Sequence, residues 1–195
     1  WGHFGKIEIN GMPVNLYVFV LVLSSSRAAY AEFVTSQKQR ILQNCHINAF
    51  KHLGGVPRKI RYDNMKTVVI SRKDKANPSW NFEFKNFAQY YKFEPELCPL
   101  YYPRSKGKVE AAVKFLRNNF FNGEVFNKTF YTIDELNERL QKWLDNYANK
   151  RKHPVQSGSI EFFWHNEQKV LQPIGSISDF SIVSPQIRRV SRISM

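Results

Sequence analysis

The chain has 195 residues, 43% hydrophobic and 15% aromatic, which is enough apolar material for a packed core and argues against disorder. It carries 29 Lys and Arg against 16 Asp and Glu, a formal net charge of +13, with a pI near 9.8. That excess is spread along the whole chain, so the folded surface itself is expected to be positive and to suit a polyanionic partner rather than an acidic one. The longest apolar run, Leu16 to Leu23, is too short to span a bilayer, and no signal-peptide pattern is visible. Two cysteines, Cys45 and Cys98, make no disulfide framework and fit a reducing cytoplasm.

Residues 3–9 read as a strand, with Asn10-Gly11 as a turn signal. Asn15 to Leu23 is almost continuously apolar, the pattern of a strand buried on both faces. Arg27 to Val34 suggests a third strand, so the three form an antiparallel meander. Ser36 to Leu53 is helical, with Leu42, Cys45, Ala49, Phe50 and Leu53 on one stripe and Gly54-Gly55 as its stop. A short strand over Lys59 to Tyr62 ends at Asp63. A polar loop near Arg72 to Ser79 precedes a second helix marked by Phe84, Phe87, Ala88 and Tyr91. Phe93 to Cys98 is a further strand, and Pro99 to Gly107 a loop.

Lys108 to Phe121 is a helix candidate. Thr132-Ile133-Asp134-Glu135 is a capping box that opens another helix, carrying Leu136, Leu140, Trp143, Leu144 and Tyr147. The stretch KRKHPVQSGS over 150–159 is a breaker-rich linker. A mixed segment follows, with β-like stretches at Phe180 to Val183 and near Ile187 to Ile193. The order implies one α/β layer, a mixed sheet with helices on its faces. The domain division is 1–149 for this core and 150–195 for the linker and an incomplete β segment.

Two acids stand out. Asp63 sits at the C-terminal end of a strand, where α/β sheets place their working crevice. Glu110 lies in the first turns of the helix in PRSKGKVEAAVKFLRNN, on a face with Lys114 and Arg117. Val109, Val113, Leu116 and Phe120 form a separate apolar stripe. A carboxylate beside these cations, preceded by Arg104, Lys106 and Lys108, suits a hard divalent cation next to a phosphate backbone. The plainer reading is a solvated helix with a Glu–Lys pair. Cys45-His46 with His52 lacks the second cysteine pair of a zinc site, and Cys98 has no histidine near it in sequence. Tyr101-Tyr102 could stack on bases or pack beneath a loop. Lys150-Arg151-Lys152-His153 could track DNA or simply be solvated.

The motifs WGHF, YVFVLVLSSSRAAYAEF, GGVPRKIRYDNMKTVV and YYPRSKGKVEAAVKFLRNNFF resemble retroviral integrases and DDE transposases of the ribonuclease-H-like superfamily. More closely, with HPVQSGSIEFFWHNEQKVLQPI, they resemble the IstA family of insertion-sequence transposases. The resemblance implies a ribonuclease-H-like (integrase catalytic core) fold and DNA cleavage followed by strand transfer. It implies two Mg2+ or Mn2+ ions and a bacterial, nucleoid-associated protein. The partners it implies are DNA, further copies of the chain and an IstB-type ATPase, with no membrane. Asp63 matches the second catalytic Asp and Glu110 the catalytic Glu, 47 positions apart. Lys114 and Arg117 match basic residues that contact donor-end DNA, and Lys66, Arg104, Lys106 and Lys108 join them as expected DNA contacts.

The family places its first catalytic Asp directly before the Trp-Gly pair. Here Trp1 opens the sequence and no Asp occurs before Asp63. The expectation is therefore a catalytic-core fragment, inactive for want of one metal ligand. Glu8 could substitute only in an unusual strand register. The edge of the run Asn15 to Leu23 is expected to be covered by another part of the chain or by a second copy. Two other classes fit the same composition: a DNA-binding module without enzymatic activity, and an oligomer-assembly domain. A metal-dependent nuclease shares the site logic but would not join DNA ends. YDNMK together with KGKVE favours the transposase.

Overall fold

The computed structural model of the chain describes residues 1–72, 77–99, 107–125, 130, 132–174 and 180. Strands β1 (Gly2–Ile9), β2 (Met12–Val22) and β3 (Ala29–Val34) form the antiparallel meander in that spatial order. Asn10 and Gly11 both take positive φ, which is what a tight hairpin turn between twisted strands demands. β2 is buried on both faces. Leu16 and Val18 join Phe4, Ala31 and Phe33 on one side, while Phe19 and Leu21 join Tyr30 on the other.

Helix α1 (Gln39–Leu53) covers the second of these faces with the predicted stripe, Leu42, Cys45, Ala49, Phe50 and Leu53. Gly54, at φ 84°, stops it with its N–H on the Phe50 carbonyl at 3.1 Å. After β4 (Lys59–Tyr62), a small ribbon of β5 (Val69–Ser71) and β6 (Ser79–Trp80) leads into α2 (Phe82–Tyr90) and β7 (Glu94–Leu97). The other face of the meander is covered by α3 (Gly107–Leu116) and α4 (Ile133–Trp143), through Leu116, Phe120, Leu136 and Leu140. Thr132 caps α4 as predicted, its Oγ1 accepting from the Glu135 N–H at 3.0 Å.

Both of these helices loosen into π-helical turns, over Arg117–Val125 and Leu144–Ala148. In the second, the Asn149 N–H reaches back five residues to the Leu144 carbonyl. The wider turn buries Leu144 and Ala148 and leaves Tyr147 52% exposed.

The single predicted sheet is divided. Among the described residues β4 pairs only with β7, in parallel, while β1 meets β2 no further than Gly2 opposite Val18. Beyond that point Phe19–Val22 have no strand partner on this side among the described residues, and they face β4 across a cavity. The expected cover over this edge is absent from the described residues.

The opposite edge is closed by side chains. The Phe33 N–H donates to Asn137 Oδ1 at 2.7 Å and Asn137 Nδ2 donates back to the Phe33 carbonyl at 2.9 Å. Asn149 exchanges the same two bonds with Ala29, at 2.9 and 3.0 Å, and Gln141 Nε2 donates to the Ala31 carbonyl at 2.8 Å. Amide side chains thus satisfy an outer edge that would otherwise invite another strand.

The segment after the linker forms a helix where its sequence reads only as mixed. Ser159 caps α5 (Ile160–Gln168) by accepting from the Phe162 N–H at 3.1 Å. Ile160 is fully buried in the α1-side core, and Trp164 Nε1 and Gln168 Nε2 both donate to the Leu53 carbonyl at 3.1 Å. Val56 and Gln172 exchange backbone hydrogen bonds of 2.8 and 2.9 Å. Gly55 permits that approach, since a Cβ there would lie 2.6 Å from Leu171 Cβ. Phe180 touches Phe87 and Tyr90; the rest of the predicted β-like stretches lies outside the described residues.

Replacing Asn137 by Ala strands the Phe33 N–H and carbonyl at the edge of β3. Urea unfolding should show a loss of about 1–3 kcal/mol, and Asn137→Asp should lose at least as much because a carboxylate oxygen then meets the Phe33 carbonyl.

Candidate active site

β4 alternates Lys59 and Arg61 outward with Ile60 and Tyr62 buried, the period of a strand with one covered face. Asp63 follows at its C-terminal end. There the Cys98 N–H donates to the Tyr62 carbonyl at 2.8 Å and closes the parallel pair. The Asp63 carboxylate accepts from the Asn64 N–H at 2.7 Å, and a tight turn brings the Met65 N–H onto the Asp63 carbonyl at 2.9 Å. Trp1 lies beside it. Both line the same cavity.

Glu110 enters from α3, in the first turn of that helix, where the positive end of the helix dipole favours a carboxylate. The docking of α3 fixes its position. Arg117 donates to the His3 carbonyl at 2.6 Å and its guanidinium lies 4.2 Å from the centre of the Phe4 ring. At the start of the helix, Lys108 Nζ donates to Ser24 Oγ at 2.6 Å and to the Ser24 carbonyl at 3.1 Å. Burial lowers the Lys108 ammonium pKa, and the Arg27 and Arg61 charges lower it further against the pull of Glu167.

Asp63 and Glu110 line one cavity of about 1420 Å³, together with Lys108, Val109, Val113, Lys114 and Arg117 from α3 and the open edge of β2. Five of the predicted site residues therefore meet. Lys66 is exposed in the turn after Asp63 and is not part of the lining. Arg104 and Lys106, with Tyr101 and Tyr102, lie outside the described residues. Glu8 stands opposite Pro13 near the far end of β1, away from the cavity.

The cations fall into two kinds. Lys108 and Arg117 are tethered to the sheet, whereas Lys114 is exposed and has no ion pair or hydrogen bond among the described residues. Glu96 also lines the cavity but is engaged by Lys59 and Arg61, each at 3.0 Å, whose hydrogen bonds hold its carboxyl below the usual range. Its role was not visible in the sequence, although the facing charges of two paired strands would have supplied the signal. Among the described residues no three His, Cys, Asp or Glu cluster as a metal site. The Asp63 and Glu110 carboxylates still suit magnesium, which commonly takes one or two protein carboxylates and completes its shell with water and substrate phosphate.

The mixed α/β core that carries this cavity is matched in solved structures. The catalytic core domain of bovine immunodeficiency virus (BIV) integrase aligns with a TM-score of 0.55 at 15% identity, covering 87% of this chain and 95% of that one. The HTLV-2 integrase catalytic core domain, solved in complex with magnesium, aligns with a TM-score of 0.53 at 16% identity, covering 82% and 90%. The fold is thus that of the ribonuclease-H-like catalytic cores. The integrase core domain model matches residues 2–103, and the chain belongs to that family. The matched range contains Asp63 and stops before Glu110.

Among its relatives, a putative transposase for insertion sequence element IS5376 of Geobacillus stearothermophilus is 40% identical over 174 residues, 89% of this chain and 42% of that protein. The transposase for insertion sequence element IS21 of Pseudomonas aeruginosa is 29% identical over 191 residues, 98% and 47% respectively. The chain spans less than half the length of either relative.

The tethers separate structural from free cations. Lys108→Gln and Arg117→Gln should each lower unfolding free energy by about 1–2 kcal/mol, while Lys114→Gln stays within about 0.5 kcal/mol of the parent. Denaturant titration of the three variants checks this.

Proposed function

We propose that this cavity is the phosphoryl-transfer centre of an insertion-sequence transposase. One observation carries the reading: two carboxylates from separate elements, Asp63 and Glu110, line one cavity with Lys108, Lys114 and Arg117 in a chain of the integrase core family. The reactions are hydrolysis of a phosphodiester at the element's end and then attack of the freed 3′-hydroxyl on a phosphodiester of target DNA. Asp63 and Glu110 would hold magnesium or manganese, two ions in the complete site, supplying Lewis-acid stabilisation of the attacking and leaving oxygens. Lys114 is placed to receive a phosphate of the donor strand. Lys108 and Arg117 add positive charge to the same wall while anchoring the helix. Lys66, Arg104 and Lys106 are assigned as further phosphate contacts, giving an affinity that falls steeply with salt.

In this reading residues 1–149 carry the chemistry, and the following segment buttresses them before a small β domain. DNA, further copies of the chain and an IstB-type ATPase are the proposed partners, in a bacterial, nucleoid-associated setting. Glu96 and Glu167 also line the cavity, but Glu96 is engaged by Lys59 and Arg61 and Glu167 by the Ser25 and Ser26 N–H groups, so Asp63 and Glu110 are the two acids assigned to metal and residues 1–195 alone are expected to be inactive. The position preceding Trp1 would bring a third acid beside Asp63.

The test adds one Asp directly before Trp1 and measures manganese-dependent joining of a pre-cut end of the encoding element to plasmid DNA. Joining should appear with that addition. It should fall to background with Asp63→Asn or Glu110→Gln, with DNA binding retained. Joining that survives either substitution would overturn the assignment. Binding without joining in the extended chain, unaffected by metal, would favour a DNA-binding module instead.

A further inference from the structure

β4 is an exposed element for the task it has. It is four residues long, hydrogen-bonded to a neighbouring strand on one side only among the described residues, and open to the cavity on the other. Short strands held on one edge are prone to fray, yet this one ends on the acid that the proposed site requires to be fixed. A second restraint lies behind it, in the core.

Tyr62, the last residue of β4, is 5% exposed and packs in the α1-side core, although it and His46 also border the cavity. Its hydroxyl lies 2.9 Å from His46 Nε2, and His46 Nδ1 lies 2.7 Å from the Leu42 carbonyl on the preceding turn of α1. A carbonyl can only accept, so Nδ1 carries the proton, and Nε2 accepts from the Tyr62 hydroxyl. The imidazole is surrounded by the rings of Phe19, Phe50, Phe84, Phe87 and Phe93, with centroids 4.9–6.3 Å away. Burial drives its pKa down to about 4, so it is neutral at physiological pH. A phenylalanine at this position would fill an aromatic box without the desolvation penalty of a polar ring. The imidazole offers what phenylalanine cannot, an acceptor aimed at Tyr62.

We propose that the His46–Tyr62 hydrogen bond is a strut between α1 and the end of β4 that sets the direction of the Asp63 carboxylate. Both are positioning residues, and the proposal rests on the reading of Asp63 as a metal-binding acid. The strut works through the backbone. Tyr62 is covalently next to Asp63, and its carbonyl receives the Cys98 N–H that closes β4 onto β7. With the side chain pinned behind and the carbonyl pinned beside, the main chain at Asp63 has little freedom to swing into the cavity.

The variant pair Tyr62→Phe and His46→Phe separates positioning from packing. Either single variant leaves the remaining polar group buried without its hydrogen-bond partner, and stability suffers. The double variant removes both polar partners and leaves an apolar box, which can be close to neutral for stability. Two readouts follow on the folded chain. Amide hydrogen exchange is measured at Cys98 and Met65, whose N–H groups are held by Tyr62 and Asp63, and Mn2+ affinity by water-proton relaxation.

In the double variant, melting near the parent temperature, exchange at least tenfold faster at both amides and Mn2+ affinity several-fold weaker are expected. Unchanged exchange overturns the strut, and so does unchanged Asp63-dependent Mn2+ affinity. If the double variant does not fold, Tyr62→Phe alone carries the same two readouts. Asp63→Asn is the control. If it leaves Mn2+ binding of the parent chain unaltered, or if the parent binds none, the metal reading fails. The exchange rates then decide the strut by themselves.

Discussion

Leu116, Phe120 and Phe121 pack from the α3 segment onto Phe4, Leu16, Val18 and Phe33 of the meander, and Arg117 closes that contact against His3 and Phe4. Everything at the cavity depends on this docking. It presents the first turn of α3, and with it Glu110, to the wall that ends in Asp63. A helix moved by one turn would advance Glu110 by about 5.4 Å. The apolar stripe therefore sets the position of the face that carries Glu110 and Lys114.

The sheet's two edges show a second constraint. The outer edge of β3 is satisfied by Asn137, Gln141 and Asn149 from the helix side, so no further strand is needed there. The inner edge of β2 and the free edge of β4 are left facing one another across the cavity. The charge is arranged with a similar division. Glu96 offsets Lys59 and Arg61, Lys108 and Arg117 serve the fold, and Lys114 is left facing the cavity.

Much of this was legible in the sequence where the signal is local. Asn10-Gly11 marks a hairpin, the apolar run to Leu23 marks a doubly buried strand, Thr132 to Glu135 marks a helix start, and Gly54 marks a helix end. The pairing of Asp63 with Glu110 came from motif resemblance; the two residues line one cavity. What the sequence hid depends on distant partners. Nothing near Lys108 names Ser24, nothing near Arg117 names His3, and Tyr62 lies 16 residues from His46. The helix Ile160–Gln168 was missed because its cap, Ser159, sits inside a breaker-rich stretch and Phe162, Phe163 and Trp164 crowd successive positions without helical periodicity. The π-helical turn over Leu144–Ala148 was hidden as well, since the residues there carry no local signal that the 3.6-residue period breaks.

The most direct measurement is a crystal of the chain soaked in manganese, with anomalous scattering used to locate the ion. The account predicts one manganese in the cavity within direct coordination distance, about 2.0–2.6 Å, of oxygens from both Asp63 and Glu110. Carboxylates too far apart to share an ion, with manganese bound elsewhere or nowhere, would contradict it.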